Sequence, residues 1–153
     1  MAQILIYLQF MRLFIILLVC LGAGSLKGQT WNEGITVLGS DTIHCPDIQN
    51  GDTVEAVFYI ANYGIEKFKI LQVHPSCQCT APQYANDTFE PGRKDSVILF
   101  FHSKKTEELE FEKYAIVLTP LGERTFYIKG KMYFPANTGE ARHSKMIRLT
   151  NSK

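Results

Sequence analysis

From Thr53 the chain alternates. Val54, Ala56, Phe58 and Ile60 fall on one side, Glu55, Val57, Tyr59 and Ala61 on the other, and Asn62-Tyr63-Gly64 ends the run. An apolar period of two that stops at an Asn/Gly pair is the pattern of a β-strand leaving a turn. The signal repeats. Phe68, Ile70 and Leu71-Gln72-Val73 form the next expected strand, halted near Pro75, and Glu90-Pro91-Gly92 turns the chain. Proline presets φ there and glycine accepts positive φ. Val97 to Phe101 is continuously apolar, as in a strand that lies centrally in a sheet. Phe111 with Tyr114 to Leu118, then Phe126, Ile128 and Met132 with Tyr127 and Tyr133, complete the series around a turn at Pro120-Leu121-Gly122.

No segment after residue 28 carries a 3.6-residue apolar period. The chain therefore reads as all-β, an antiparallel immunoglobulin-like β-sandwich of about seven strands, with a small barrel as the runner-up. The expected core includes Phe58, Ile60, Ile70, Val97, Leu99, Ile116 and Ile128. Tyr59 and Tyr127 are read as outward tyrosines that form a partner surface if they sit on neighbouring strands.

The flanks differ from this body. Residues 1–28 hold no acidic residue, and Met11-Arg12 precedes an apolar stretch from Leu13 to Gly24, the order of a signal peptide. A mature N-terminus between Leu26 and Gln29 is expected. The rival is an uncleaved anchor, since Ile4 to Leu21 approaches the length of a span. Lipidation at Cys20 is disfavoured because bulky Val19 precedes it. Residues 29–41 read as an arm able to supply one edge strand. Residues 42–134 read as the sandwich, and 135–153 as a polar basic tail, mobile, in which Met146-Ile147-Arg148-Leu149 offers an extra strand.

Removing 1–28 takes Arg12 and Lys27 from 16 basic residues and leaves 14 against 15 acidic ones, a net charge of −1. Such a balance gathers neither nucleic acid nor anionic membrane. The membrane is reached only through the N-terminal segment, if uncleaved. About 125 residues remain, enough for one domain with a real core.

Three cysteines stay in that chain, Cys45, Cys77 and Cys79. In an oxidising compartment an odd number leaves a thiol over. Read as an extended strand, Cys77 and Cys79 share a face about 6.5–7 Å apart, too far for a disulfide without a tight bulge. Three readings stay open: a structural disulfide from Cys45 to Cys77 or Cys79, which is preferred; packing alone; or a metal or redox role. For the last, Cys77, Cys79, Cys45 and His74, with His44 nearby, are the candidate ligands for copper or zinc. Nothing in the sequence requires a cofactor. HExxH, GxSxG and P-loop patterns are missing from the chain, and His74 and His102 have no local nucleophile to activate, so it reads as non-catalytic.

Taken in order, Asp47-Ile48-Gln49-Asn50-Gly51-Asp52, Phe58 to Gly64, Ser76-Cys77-Gln78-Cys79-Thr80, Pro91-Gly92 and Ile128-Lys129-Gly130 resemble the bacterial "domain of unknown function 1573" family. The resemblance covers about residues 42–134. It implies an exported, immunoglobulin-like sandwich related to hydin-type modules, and brings no catalytic set. Gln78 stands where that family usually has glycine, Pro46-Asp47 replaces an aromatic-Gly pair, and Pro120 sits where asparagine is common. The resulting expectation is an exported module that binds or scaffolds a protein partner at the cell envelope, in the periplasm or secreted. The alternative is a thiol- or metal-handling protein built on Cys77 and Cys79.

Overall fold

The computed structural model describes residues 34–105, 108–134 and 144–152. The signal segment, Cys20, residues 29–33 of the arm and the first part of the tail lie outside the described residues, while the rest of the arm supplies the expected edge strand. Among the described residues no helix is long and apolar enough to cross a membrane.

Two five-stranded sheets face each other, so the sandwich holds over the barrel. The first contains β1 (Ile35–Val37), β4 (Thr53–Asn62), β7 (Lys94–His102) and β6 (Thr80–Tyr84) in that order, with β10 (Met146–Thr150) running parallel along the β1 side of β4. The second is ordered β2 (Thr42–His44), β9 (Gly122–Tyr133), β8 (Glu110–Thr119), β5 (Gln72–Pro75), and β3 (Ile48–Gln49) continues the β2 side of β9. The long pairs β4–β7 and β8–β9 are antiparallel, while β2, β3 and β10 join in parallel. The sheets are thus mixed at their edges, and the described residues form ten strands where about seven were expected.

The alternation read in Thr53–Ala61 becomes the wall of the core: Val54, Ala56, Phe58 and Ile60 are fully buried. Phe58 stacks on Phe126 of the opposite sheet at 4.6 Å, and Phe101 meets Phe111 at the same distance. β7 is central, as its apolar run suggested, but only Val97, Leu99 and Phe101 are buried, with Ile98 and Phe100 half-covered. On β8 the expected register is off by one. Ala115 and Val117 face the core and Ile116 is only half-buried, since a one-residue shift exchanges the faces of a strand. The strand expected from Phe68 begins only at Gln72: Phe68 forms an isolated bridge to Phe89, and Leu71 is exposed. Tyr59 and Tyr127 lie in different sheets; the ring beside Tyr127 is that of Tyr114, directly opposite on β8 at 6.0 Å.

Three buried polar side chains hold the connections. Asn62 Nδ2 donates to the carbonyls of Glu66 and Phe89, both at 2.8 Å, and its Oδ1 accepts from Gly64 N at 3.0 Å. Ser103 Oγ accepts from Gly51 N and reaches the carbonyls of Gln49 and Asp52, tying the turn after β3 to the end of β7. Asn151 seats the end of the tail. Its backbone N–H donates to Val57 O, its Oδ1 accepts from Tyr59 N at 3.0 Å, and its Nδ2 donates to Ser40 O. Residues 145–151 are therefore docked rather than mobile, and the extra strand expected at Met146–Leu149 is present as β10.

The edges formed by β5 and β6 share one device. Ser76 N donates to Tyr114 O, so Gln72 and His74 turn their backbone groups toward β8, and Val73 and Pro75 turn theirs outward. His102 N donates to Cys79 O, which by the same parity turns Thr80, Pro82 and Tyr84 outward from β7. A proline at an outward position removes a donor without breaking the ladder, and so blunts the edge.

Candidate functional site

Ser76 to Cys79 carries the chain from the edge of one sheet to the edge of the other. At Ser76 the chain leaves β8, the serine hydroxyl taking the Tyr114 N–H at 3.0 Å where a strand would offer its carbonyl. Thr80 N then donates to Cys77 O at 3.3 Å, closing a turn. This turn draws the Cα atoms of Cys77 and Cys79 to 5.2 Å, and the two cysteines form a disulfide. The expectation that Cys45 pairs with one of them is thereby corrected. It extrapolated strand geometry through Ser76–Thr80, where the backbone curls instead of extending. Cys79 is buried, Cys77 is half-buried with its Sγ 3.5 Å from Thr80 Oγ1, and Gln78 is exposed between them.

Cys45 keeps its thiol. It follows β2, donates its backbone N–H to Lys129 O at 2.7 Å, and packs against the core. The room beside it comes from Gly130, where an added Cβ would meet both Cys45 Cβ and Phe111 Cζ at 2.9 Å. Burial pushes the Cys45 thiol up to about 12, because the thiolate is costly away from water. The sign of the consequence is definite. Unfolded, the thiol titrates near 8.5; folded, it holds its proton to higher pH. Between those values the folded chain binds more protons, so stability falls as pH rises from about 8.5 toward 12. Urea midpoints at pH 8 and pH 10 should fall further for the wild type than for Cys45→Ala. Equal losses would show that the thiol is solvated.

The four candidate ligands do not converge. Cys77 and Cys79 spend their sulfurs on each other, His74 is exposed on edge strand β5, and Cys45 sits beside β9. Among the described residues no group of three His, Cys, Asp or Glu side chains is placed to hold a metal ion. His44 is exposed, and His102 Nδ1 lies 3.1 Å from Thr53 Oγ1 on the neighbouring strand. The sequence reading missed the clamps Asn62, Ser103 and Asn151 and the edge prolines. Only the prolines carried a signal, since a proline inside an apolar strand pattern points to an edge.

With this geometry in place, a family model described as "Protein of unknown function (DUF1573)" matches residues 36–132. Comparison with curated proteins finds no match. Among solved structures the chain is similar to a protein of unknown function from Porphyromonas gingivalis W83, at 10% identity and TM-score 0.57 over 71% of this chain. The chain spans about half the length of that protein, 51%. Weaker likenesses are to the ASH / PapD-like domain 7 of human CEP192 (14% identity, 73% of this chain and 94% of that one, TM-score 0.49) and to the M1 domain from titin (19%, 64% and 93%, TM-score 0.40). At such identities likeness concerns fold alone, and the immunoglobulin-like assignment rests on the strand order above.

Proposed function

The chain belongs to the DUF1573 family, and from that footing we propose that it is a non-catalytic module that binds or scaffolds a protein partner at the cell envelope, after export directed by residues 1–28. One observation carries the binding reading: the fold spends three of its buried polar side chains, Asn62, Ser103 and Asn151, on its own backbone. Each clamps a loop or strand, and Cys77 and Cys79 close a turn. Buried groups used this way rigidify a scaffold. An active site would instead leave them aimed at a reacting atom.

The thiol-handling alternative keeps one specific support, the half-buried Cys77 in a disulfide that closes a very short loop. Two measurements separate the readings. Crosslinking in the envelope fraction should trap the mature chain with a protein partner; recovery of the chain in the cytoplasm with its N-terminus intact would sink the exported-module reading. Thiol counting on the unfolded, unreduced mature chain should give one, from Cys45, falling to none in Cys45→Ser. Three thiols with bound copper or zinc would move the assignment to metal handling.

A further inference from the structure

Among the described edges, hydrogen-bond parity leaves one with three successive outward positions unblocked. On the β2–β3 side, Thr42 N is taken by Ser40 Oγ, Pro46 has no N–H and Gln49 N is taken by Asp52 Oδ2, so His44 is an isolated outward position between blocked ones. β1 is three residues long and its Val37 carbonyl accepts from Gly39 N. β5 and β6 carry outward prolines. β10 differs. Thr53 N donates to Lys145 O and Asn151 N to Val57 O, so in this parallel register Lys145, Ile147, Leu149 and Asn151 bond to β4. Met146, Arg148 and Thr150 therefore point their N–H and C=O groups away from the sheet, and no described strand pairs with that side. Proline and acidic residues are both missing from 144–152.

We infer that this β10 edge is a strand-addition site for an extended segment of another protein, one that carries an acidic residue opposite Arg148 and apolar residues on either side of it. Backbone groups supply the pairing and alternate side chains the selectivity. The apolar positions are set by Ile147 and Leu149, which pack against the core but remain half-buried at its rim, where an added strand would finish covering them. The acidic position is set by charge. Arg148 is 62% exposed and lies 3.5 Å from Glu55 of β4, so a carboxylate on the next strand would extend a Glu–Arg–acid row. A second copy fits poorly, because two-fold pairing centred on β10 sets Arg148 against Arg148, and like charges directly opposite are unfavourable. The inference rests on the reading of the protein as a binding module and gives that reading its surface.

The test uses the mature chain and two capped hexapeptides, one alternating valine with glutamate, the other valine with lysine. Amide exchange is followed residue by residue. In the free protein, Met146, Arg148 and Thr150 should exchange fast while Ile147 and Leu149 are protected. The glutamate peptide should slow those three amides roughly tenfold at saturation, and the lysine peptide should not. Thr150→Pro removes an outward N–H and leaves the ladder to β4 whole, so it should abolish the effect. Arg148→Glu should exchange the preference of the two peptides; should it undock β10, seen as lost Ile147 and Leu149 protection, Arg148→Gln should simply erase the preference. The inference is overturned if neither peptide protects these amides at concentrations on the order of millimolar, if both protect equally, or if the free dilute protein already protects them. Protection that grows with protein concentration alone would make a second copy the occupant and overturn it too. Envelope crosslinking does not depend on β10, so a failure here is distinct from a failure of the binding reading.

Discussion

Phe58→Ala is expected to lower stability by about 3–5 kcal/mol, through lost transfer free energy and the cavity left behind. Phe58 is fully buried in the middle of β4, and its ring stacks on Phe126 of β9 at 4.6 Å, so it joins the two sheets. The neighbouring walls cannot collapse into the gap. β4 is held on one side by nine paired positions of β7 and on the other by β1 and β10. A loss of that size is a large part of the 5–15 kcal/mol that keeps a domain folded. Phe58→Leu, which refills much of the volume, should cost distinctly less. Urea unfolding with unchanged slope measures both. An alanine variant that loses under about 1 kcal/mol would mean that the ring does not bridge the sheets.

What the sequence made legible follows from where side chains are used as signals. β4, β7, β8 and β9 are long and half-buried, so burial imprints alternation on them, and their positions could be read directly. Even there the β8 register slipped, because Tyr114 to Leu118 is apolar on both faces and gives no phase. β2 and β3 are only three and two residues long and exist through backbone pairing to β9, which leaves almost no side-chain pattern. The Cys77–Cys79 disulfide was hidden for a related reason: a turn of four residues between two strands looks like their continuation. Asn151 reads as an ordinary tail residue. Its role emerges only once β10 is laid beside β4 and Tyr59 N needs an acceptor.

Asn62→Ala is expected to cost about 2–4 kcal/mol, more than an asparagine in a turn should matter, since each buried partner left unsatisfied costs about 1–3 kcal/mol. The sequence places Asn62 at the break after β4, where asparagine commonly serves the local turn. In the structure it is 1% exposed and reaches 27 residues along the chain to the carbonyl of Phe89, itself fully buried. It thus binds the loop after β4 to the loop before β7, beside the stacked Phe68 and Phe89 rings. Alanine removes one of the two donors to the buried Phe89 carbonyl, releases the loop at exposed Glu66 and frees Gly64 N. Asn62→Asp is the sharper probe. It keeps the acceptor for Gly64 N, but an ionised carboxylate has no donor and faces two carbonyl oxygens. Burial and those oxygens raise its pKa above the ordinary value near 3.9. The unfolded chain then releases its proton first, so the aspartate variant should lose stability as pH rises above about 4 and approach wild type in acid. Urea midpoints for both variants at pH 4 and pH 7, with amide exchange at Phe68 and Phe89, check the argument. An aspartate variant as stable as wild type at pH 7 would show that Asn62 does not donate to those carbonyls.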